Sequence, residues 1–152
     1  MINLAAALPG LLPQAIPWVE SQEADALATG RPLTVTELAL AKAAGVRSAN
    51  RVRIKLVDQL PQPLHAELRA AADQTGLLAP NMAGVTFGYA VFIRRGFETN
   101  RLVSHELRHV HQYEAAGSIA AFLPVYLKQI VDVGYQRAPF ELDAQRYERD
   151  AP

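Results

Sequence analysis

The sequence predicts an α+β fold, mainly helical, in one domain, with a small β-sheet packed beside a histidine-bearing helix. Three observations predict it. The chain has 152 residues, half of them hydrophobic, enough for one core. Two stretches, 51–57 and 84–95, carry strand-type patterns, whereas most of the remainder repeats at helical spacing between glycine and proline breaks. The expected organisation is a helical N-terminal part over 1–50, a strand region over 51–95 and a set of helices over 99–149.

The first 19 residues have no charged side chain. A leader or membrane helix would be apolar in this way, but Pro9, Gly10, Pro13 and Pro17 interrupt the stretch and no basic residue comes before Arg31. Broken helical packing against the core is preferred to membrane contact through residues 1–19. A helix is expected over 11–29, stopped at Gly30. A second is expected over 35–44, with Val35, Leu38, Ala39 and Ala43 as its apolar side and Gly45 ending it. Trp18 is read as a core or groove-lining residue.

Residues 51–57 alternate charged and apolar side chains, the period of a half-buried strand. Val52, Ile54 and Leu56 should face the core, and Arg51, Arg53 and Lys55 the water. Pro61 and Pro63 close it, and a short helix over 64–74 begins at His65, which stands alone in sequence. Residues 84–95 are rich in β-formers and make either one long strand or a hairpin bending at Gly88.

A helix should then start at Thr99 or Asn100 and stop near Ala116, with Gly117 as left-handed cap. Ser118 caps the next helix. There Ile119, Phe122, Leu123, Tyr126, Leu127 and Ile130 form an amphipathic stripe, Pro124 should introduce a kink, and Gly134 closes the run. Tyr135 is placed in a loop, and Pro139 opens the last helix.

The chemistry is concentrated in residues 105–113, His-Glu-Leu-Arg-His-Val-His-Gln-Tyr. His105 and His109, four apart, share one helix face and can reach one metal ion. Glu106 lies next to the first and can touch a water held by that ion. This is the arrangement of a zinc-dependent hydrolase. Three of the four histidines fall in this run, and its flanks, Leu102, Val103, Leu107 and Val110, give an apolar side suited to burial.

Composition agrees. With no cysteine, disulfides and thiolate metal sites are excluded, leaving His, Asp and Glu as ligands. The 15 basic and 15 acidic residues cancel, so no nucleic-acid-binding surface is indicated. The sequence sets no oligomeric state.

A catalytic zinc usually takes three protein ligands and leaves one position open. The extended HExxHxxGxxH pattern fails, because Gln112 and Ala115 stand where it needs Gly and His. His111 lies about 200° round the helix from His109. A carboxylate on a later helix remains. Glu141 is the best candidate: in the first turn after Pro139 the helix dipole favours its ionised form. Glu148, Glu114 and Asp143 are its rivals.

An HExxH followed by a helix and then a helix-borne glutamate resembles the gluzincin branch of the zincin metallopeptidases. More narrowly, the run from Leu102 to Tyr147, with Gly134-Tyr135 and Pro139-Phe140-Glu141-Leu142-Asp143-Ala144, is similar to small bacterial zincin-like domains. The resemblance covers about the last third of the chain. It implies a zincin-like fold, Zn²⁺ on His105, His109 and Glu141, and a zinc-activated water with Glu106 as general base, acting on a peptide or protein substrate. With no clear signal peptide it implies a cytoplasmic location. Tyr135 is the candidate oxyanion donor. The alternative is a zinc-binding scaffold or interaction module without peptidase activity. One departure is visible: many gluzincins carry an aspartate four residues after the ligand glutamate, but this chain has Gln145 there and Asp143 two residues after. The groups orienting the ligands must therefore be arranged differently.

Overall fold

A three-stranded sheet in the order β1-β3-β2 separates two helical layers. In the computed structural model, which describes residues 1–152, β1 (Arg53–Val57) runs parallel to β3 (Ala90–Arg94), and β2 (Gly84–Phe87) runs antiparallel to it. Side chains alternate across a strand, and β3 uses both faces. Val91 and Ile93 pack with Ile54 against α2 (Val35–Ala43) and α4 (Asn100–Ala116), through Leu40, Ala41, Val103, Leu107 and Val110. Ala90 and Phe92 face the other way, toward Val19 and Ala26 of α1 (Leu4–Thr29) and Phe122 and Leu123 of α5 (Ile119–Val133). α3 (Ala66–Thr75) precedes the hairpin, and α6 (Pro139–Arg146) closes the chain. The α+β, mainly helical single-domain architecture is the expected one.

Two expectations about the N-terminal helices are corrected. α1 starts at Leu4, not at 11, and runs through Pro9, Pro13 and Pro17 as one helix of 26 residues. The prolines are four apart, so all three fall on one face, and that face is exposed. Each removes one helical N–H bond, but the carbonyls left over face water. The opposite face buries Leu11, Ala15, Val19 and Ala26, and the Asn3 side chain accepts the Ala6 N–H at 3.2 Å to cap the start.

In α2 the buried side is not the expected one. Val35, Leu38 and Ala39 are exposed, whereas Glu37, Leu40 and Ala41 are buried. Glu37 turns inward because it is held from two directions. It takes a two-pronged contact from Arg31, at 2.7 and 3.0 Å, and completes a capping box with Thr34.

The stretch over 84–95 is a hairpin. Gly88 supplies the turn at φ +64°, and the Glu23 carboxylate of α1 accepts the Tyr89 N–H at 2.8 Å. α4 and α5 have the expected bounds. Thr99 and Ser118 cap their starts through their hydroxyls, and Gly117 ends α4 at φ +100°. α5 continues past Pro124 to Val133. Tyr135 begins a 3₁₀ turn, Tyr135–Arg137, rather than an open loop. No single helix is long and apolar enough to cross a membrane.

Candidate metal centre

α4 is the central helix of the site. Its apolar side is buried through Val103, Leu107 and Val110. That burial fixes the neighbouring stripe carrying His105, Glu106 and His109. The two imidazoles stand one turn apart, ring centroids 5.0 Å from each other.

Glu141 comes back to them on α6. Three contacts set α6 in place. The Phe140 N–H donates to Gln129 of α5 at 3.0 Å, the Phe140 carbonyl accepts from Gln112 of α4 at 3.0 Å, and the Phe140 ring stacks on Phe122 with centroids 5.2 Å apart. Glu141 Oε1 is then 3.1 Å from His105 Nε2, and Oε2 is 2.9 Å from His109 Nε2. The potential ligand atoms of His105, His109 and Glu141 lie within 4.8 Å of one another. Tyr126 of α5 donates its hydroxyl to Glu141 Oε2 at 2.8 Å.

The outer nitrogens of the imidazoles are also held. His105 Nδ1 is 2.8 Å from Glu148 Oε2, and His109 Nδ1 is 2.7 Å from Gln112 Oε1. The Gln112 amide nitrogen is committed as a donor to the Phe140 carbonyl and to Asp143 Oδ2, at 2.9 Å. Its oxygen must therefore accept from His109 Nδ1–H. In both rings the proton sits on Nδ1, and the Nε2 lone pair faces a Glu141 oxygen. Acceptors that face each other at about 3 Å repel unless a cation stands between them, either a proton on the ring or a shared metal ion. The pKa values report the same demand. Burial pulls the pKa of His105 down, but the Glu141 contact and the Glu106 charge outweigh it and raise it to about 9. For Glu141, burial pushes up, but the two imidazoles hold it well below the usual carboxylate range. Two imidazoles and one carboxylate, with ring tautomers fixed by acceptors behind them, are a donor set that fits zinc.

Glu106 is buried beside the two imidazoles; its Oε2 is 3.9 Å from His105 Nε2, too far for a hydrogen bond. Its other oxygen is held at 2.8 Å by the Thr86 hydroxyl of β2. One oxygen is anchored and the other faces the candidate metal centre, on the His105 side. Tyr135 lines the same cavity as Glu106, His109 and Glu141. Burial, then the charges of Glu141 and Glu106, push its pKa up, so its hydroxyl stays protonated and can donate.

The other candidates have different places. Glu148 serves His105 from behind and also meets Arg101. Asp143 pairs with Arg108 at 2.8 Å and fixes Gln112. Glu114 is remote from the centre; it accepts the Arg47 and Ser48 N–H groups and the Tyr89 hydroxyl. His111 turns to the Gly45 carbonyl at 2.9 Å, and His65 is exposed at the start of α3.

Sequence reasoning missed Thr86, Gln112 and Tyr126. A signal existed for Gln112, which lies three residues after His109 on the same helix face. Tyr126 was hidden within an apolar stripe, and nothing in the strand pattern marked Thr86. No family model, curated protein or solved structure matches this chain.

Proposed function

We propose that the protein is a zinc-dependent metallopeptidase, with zinc held by His105, His109 and Glu141 and with Glu106 as general base. The observation that carries this reading is the convergence of three donors from two helices within 4.8 Å, beside a buried carboxylate that is not one of them. A purely structural zinc site is normally closed by four protein ligands and has no use for such a neighbour.

Bound there, zinc would acidify a water and polarise a carbonyl. The residues of the chain supply the rest. Glu106, fixed by Thr86, takes a proton from the attacking water through its free oxygen and passes it to the leaving amine. Tyr135, protonated and in the same cavity, donates to the developing oxyanion. Glu148 and Gln112 keep the imidazoles in the ligating tautomer. β2 is an edge strand of the sheet and carries Thr86, so an extended peptide added to its free side would run past Glu106.

Two measurements test this. Elemental analysis of protein purified without added metal should give about one zinc per chain. Digestion of a mixed peptide library, read by mass spectrometry, should show new termini with the parent. With Glu106→Gln, which should retain its zinc, cleavage should fall by at least ~10²-fold. Equal cleavage by the two proteins removes Glu106 as base; no cleavage by the parent with zinc bound favours the scaffold reading.

A further inference from the structure

The metal centre is one end of a larger cavity of about 120 Å³; a single water needs roughly 10–15 Å³. Of its 29 lining residues, 22 are hydrophobic. The wall is built by Leu8, Leu11 and Trp18 of α1, Ala72 of α3, and Leu127 and Val131 of α5. Its polar side chains gather at the metal centre: Glu106, His109, Glu141, Thr86 bonded to Glu106, and Tyr126 bonded to Glu141. Elsewhere polar groups are few: the Thr75 hydroxyl is turned onto the carbonyls of Ala71 and Ala72, the Tyr113 hydroxyl onto the Thr86 carbonyl, and the Trp18 indole N–H and Tyr135 hydroxyl also line the wall. The lining extends along α1 from Leu4 to Trp18, roughly 20 Å at helical rise.

Such a wall sets the chemistry of its occupant. A peptide backbone brings a donor and an acceptor with every residue, and each needs a partner when buried. The wall away from the metal centre, with the Trp18 indole N–H as its one side-chain donor without a protein partner, offers far too few. An unbranched aliphatic chain needs none and gains from every methylene it buries. Resting on the metallopeptidase reading for its reactive end, we infer that the cavity holds the hydrocarbon chain of a long-chain acyl amide, with the amide carbonyl at the metal centre. Hydrolysis there breaks the C–N bond and forms a C–O bond: the water oxygen goes to the acyl carbon, which leaves as a carboxylate, and both water protons go to the nitrogen, which leaves as the ammonium form of the amine.

The test is binding of the product class, the fatty acids, to the full-length Glu106→Gln protein loaded with zinc. Octanoate, laurate and palmitate are titrated by displacement of a fluorescent fatty acid. One saturable site is expected, with affinity rising by up to roughly fourfold per added methylene until the cavity is full. Ala15→Phe and Ala72→Phe, which narrow the cavity from two different helices, α1 and α3, should each weaken laurate binding at least tenfold. Their zinc content and melting temperature serve as controls for folding. Absence of saturable binding by all three acids overturns the inference. So does an affinity that ignores chain length, or binding unchanged in the folded variants. If one variant fails to fold, the other and the chain-length series still decide. Because Glu106→Gln lacks the proposed base, binding by it stands apart from the peptidase reading. Peptide cleavage by a parent that binds no fatty acid would sink the acyl inference alone.

Discussion

Glu148 and Gln112 would act on a metal held at the proposed centre through the far nitrogens of its two imidazoles. Neither is a ligand, but each fixes a ring tautomer and a ring angle. Groups in this position usually contribute 10- to 100-fold to metal affinity. Glu148→Ala and Gln112→Leu should therefore each weaken zinc binding by roughly that factor, measured by competition with a chromophoric chelator. Glu141→Ala should lose far more, because it removes a ligand. If Glu148→Ala and Glu141→Ala weaken zinc equally, the division between ligand and orienting group is wrong. Glu114 gives a residue-scale prediction away from the site. Burial alone would raise its pKa, but the Arg47 and Ser48 N–H groups and the Tyr89 hydroxyl outweigh that, and its pKa lies below the ordinary value. A depressed carboxylate contributes stability in full above its unfolded pKa, about 4.3 for glutamate, and loses it as pH falls through the folded pKa. Glu114→Gln should destabilise the protein by about 1–3 kcal/mol near neutral pH. Urea titrations at falling pH should show the gap from the parent narrowing below about pH 4.3. A gap constant with pH would mean that the carboxylate charge at Glu114 contributes nothing.

At the scale of elements, the turns that aim the site are fixed by a few positions. Gly88 sits at φ +64°, and a Cβ there would meet a Glu23 carboxylate oxygen at 2.0 Å. Gly88→Ala would displace Glu23 from the Tyr89 N–H and strain the turn of the hairpin that presents Thr86. A loss of roughly 1–3 kcal/mol is expected, read by denaturant unfolding. A stability equal to that of the parent would show that the hairpin tolerates the change. The same scale explains what was legible in the sequence. The bounds of α4 and α5 and the start of α6 were legible because Thr99, Gly117, Ser118, Gly134 and Pro139 act locally, through caps and turns that a linear reading can see. The placement of His105 and His109 side by side was legible for the same reason, since they lie one turn apart on one helix. Glu141 was legible only as the best of several acids, because its position depends on how far α5 runs before α6 returns. The start of α1 was not legible: three prolines on one solvent-facing stripe cost the helix bonds, and burial of the opposite face outweighs that cost. Nor was the buried face of α2, where the Arg31–Glu37 pair, a contact outside the helix pattern, decides which side turns inward.

The whole molecule brings together groups distant in sequence, and Arg108 shows how. From α4 it donates to the Ala44 carbonyl after α2, pairs with Asp143 of α6, and lies over the Tyr147 ring at 3.8 Å. Asp143 in turn fixes Gln112 behind His109. The packing of α2, α4 and α6 is thus connected to the geometry of the proposed ligands, and the contacts of Glu141 with His105 and His109 tie α4 to α6. An ion that binds both helices in the folded chain, and not the unfolded chain, must stabilise the fold by mass action. At a free zinc concentration about 100 times the dissociation constant, the gain is about 2.7 kcal/mol. For a chain of this size each kcal/mol moves the melting temperature by roughly 2–4 °C, so zinc should raise it by about 5–10 °C over chelator-treated protein. Differential scanning calorimetry measures this directly. Glu106→Gln should keep the whole shift, because Glu106 is the proposed base and not a proposed ligand. Glu141→Ala should lose most of it, because α6 then no longer contributes to the site. A full zinc shift in Glu141→Ala would mean that the ion is held by α4 alone, and the two-helix centre on which the proposed function rests would be excluded.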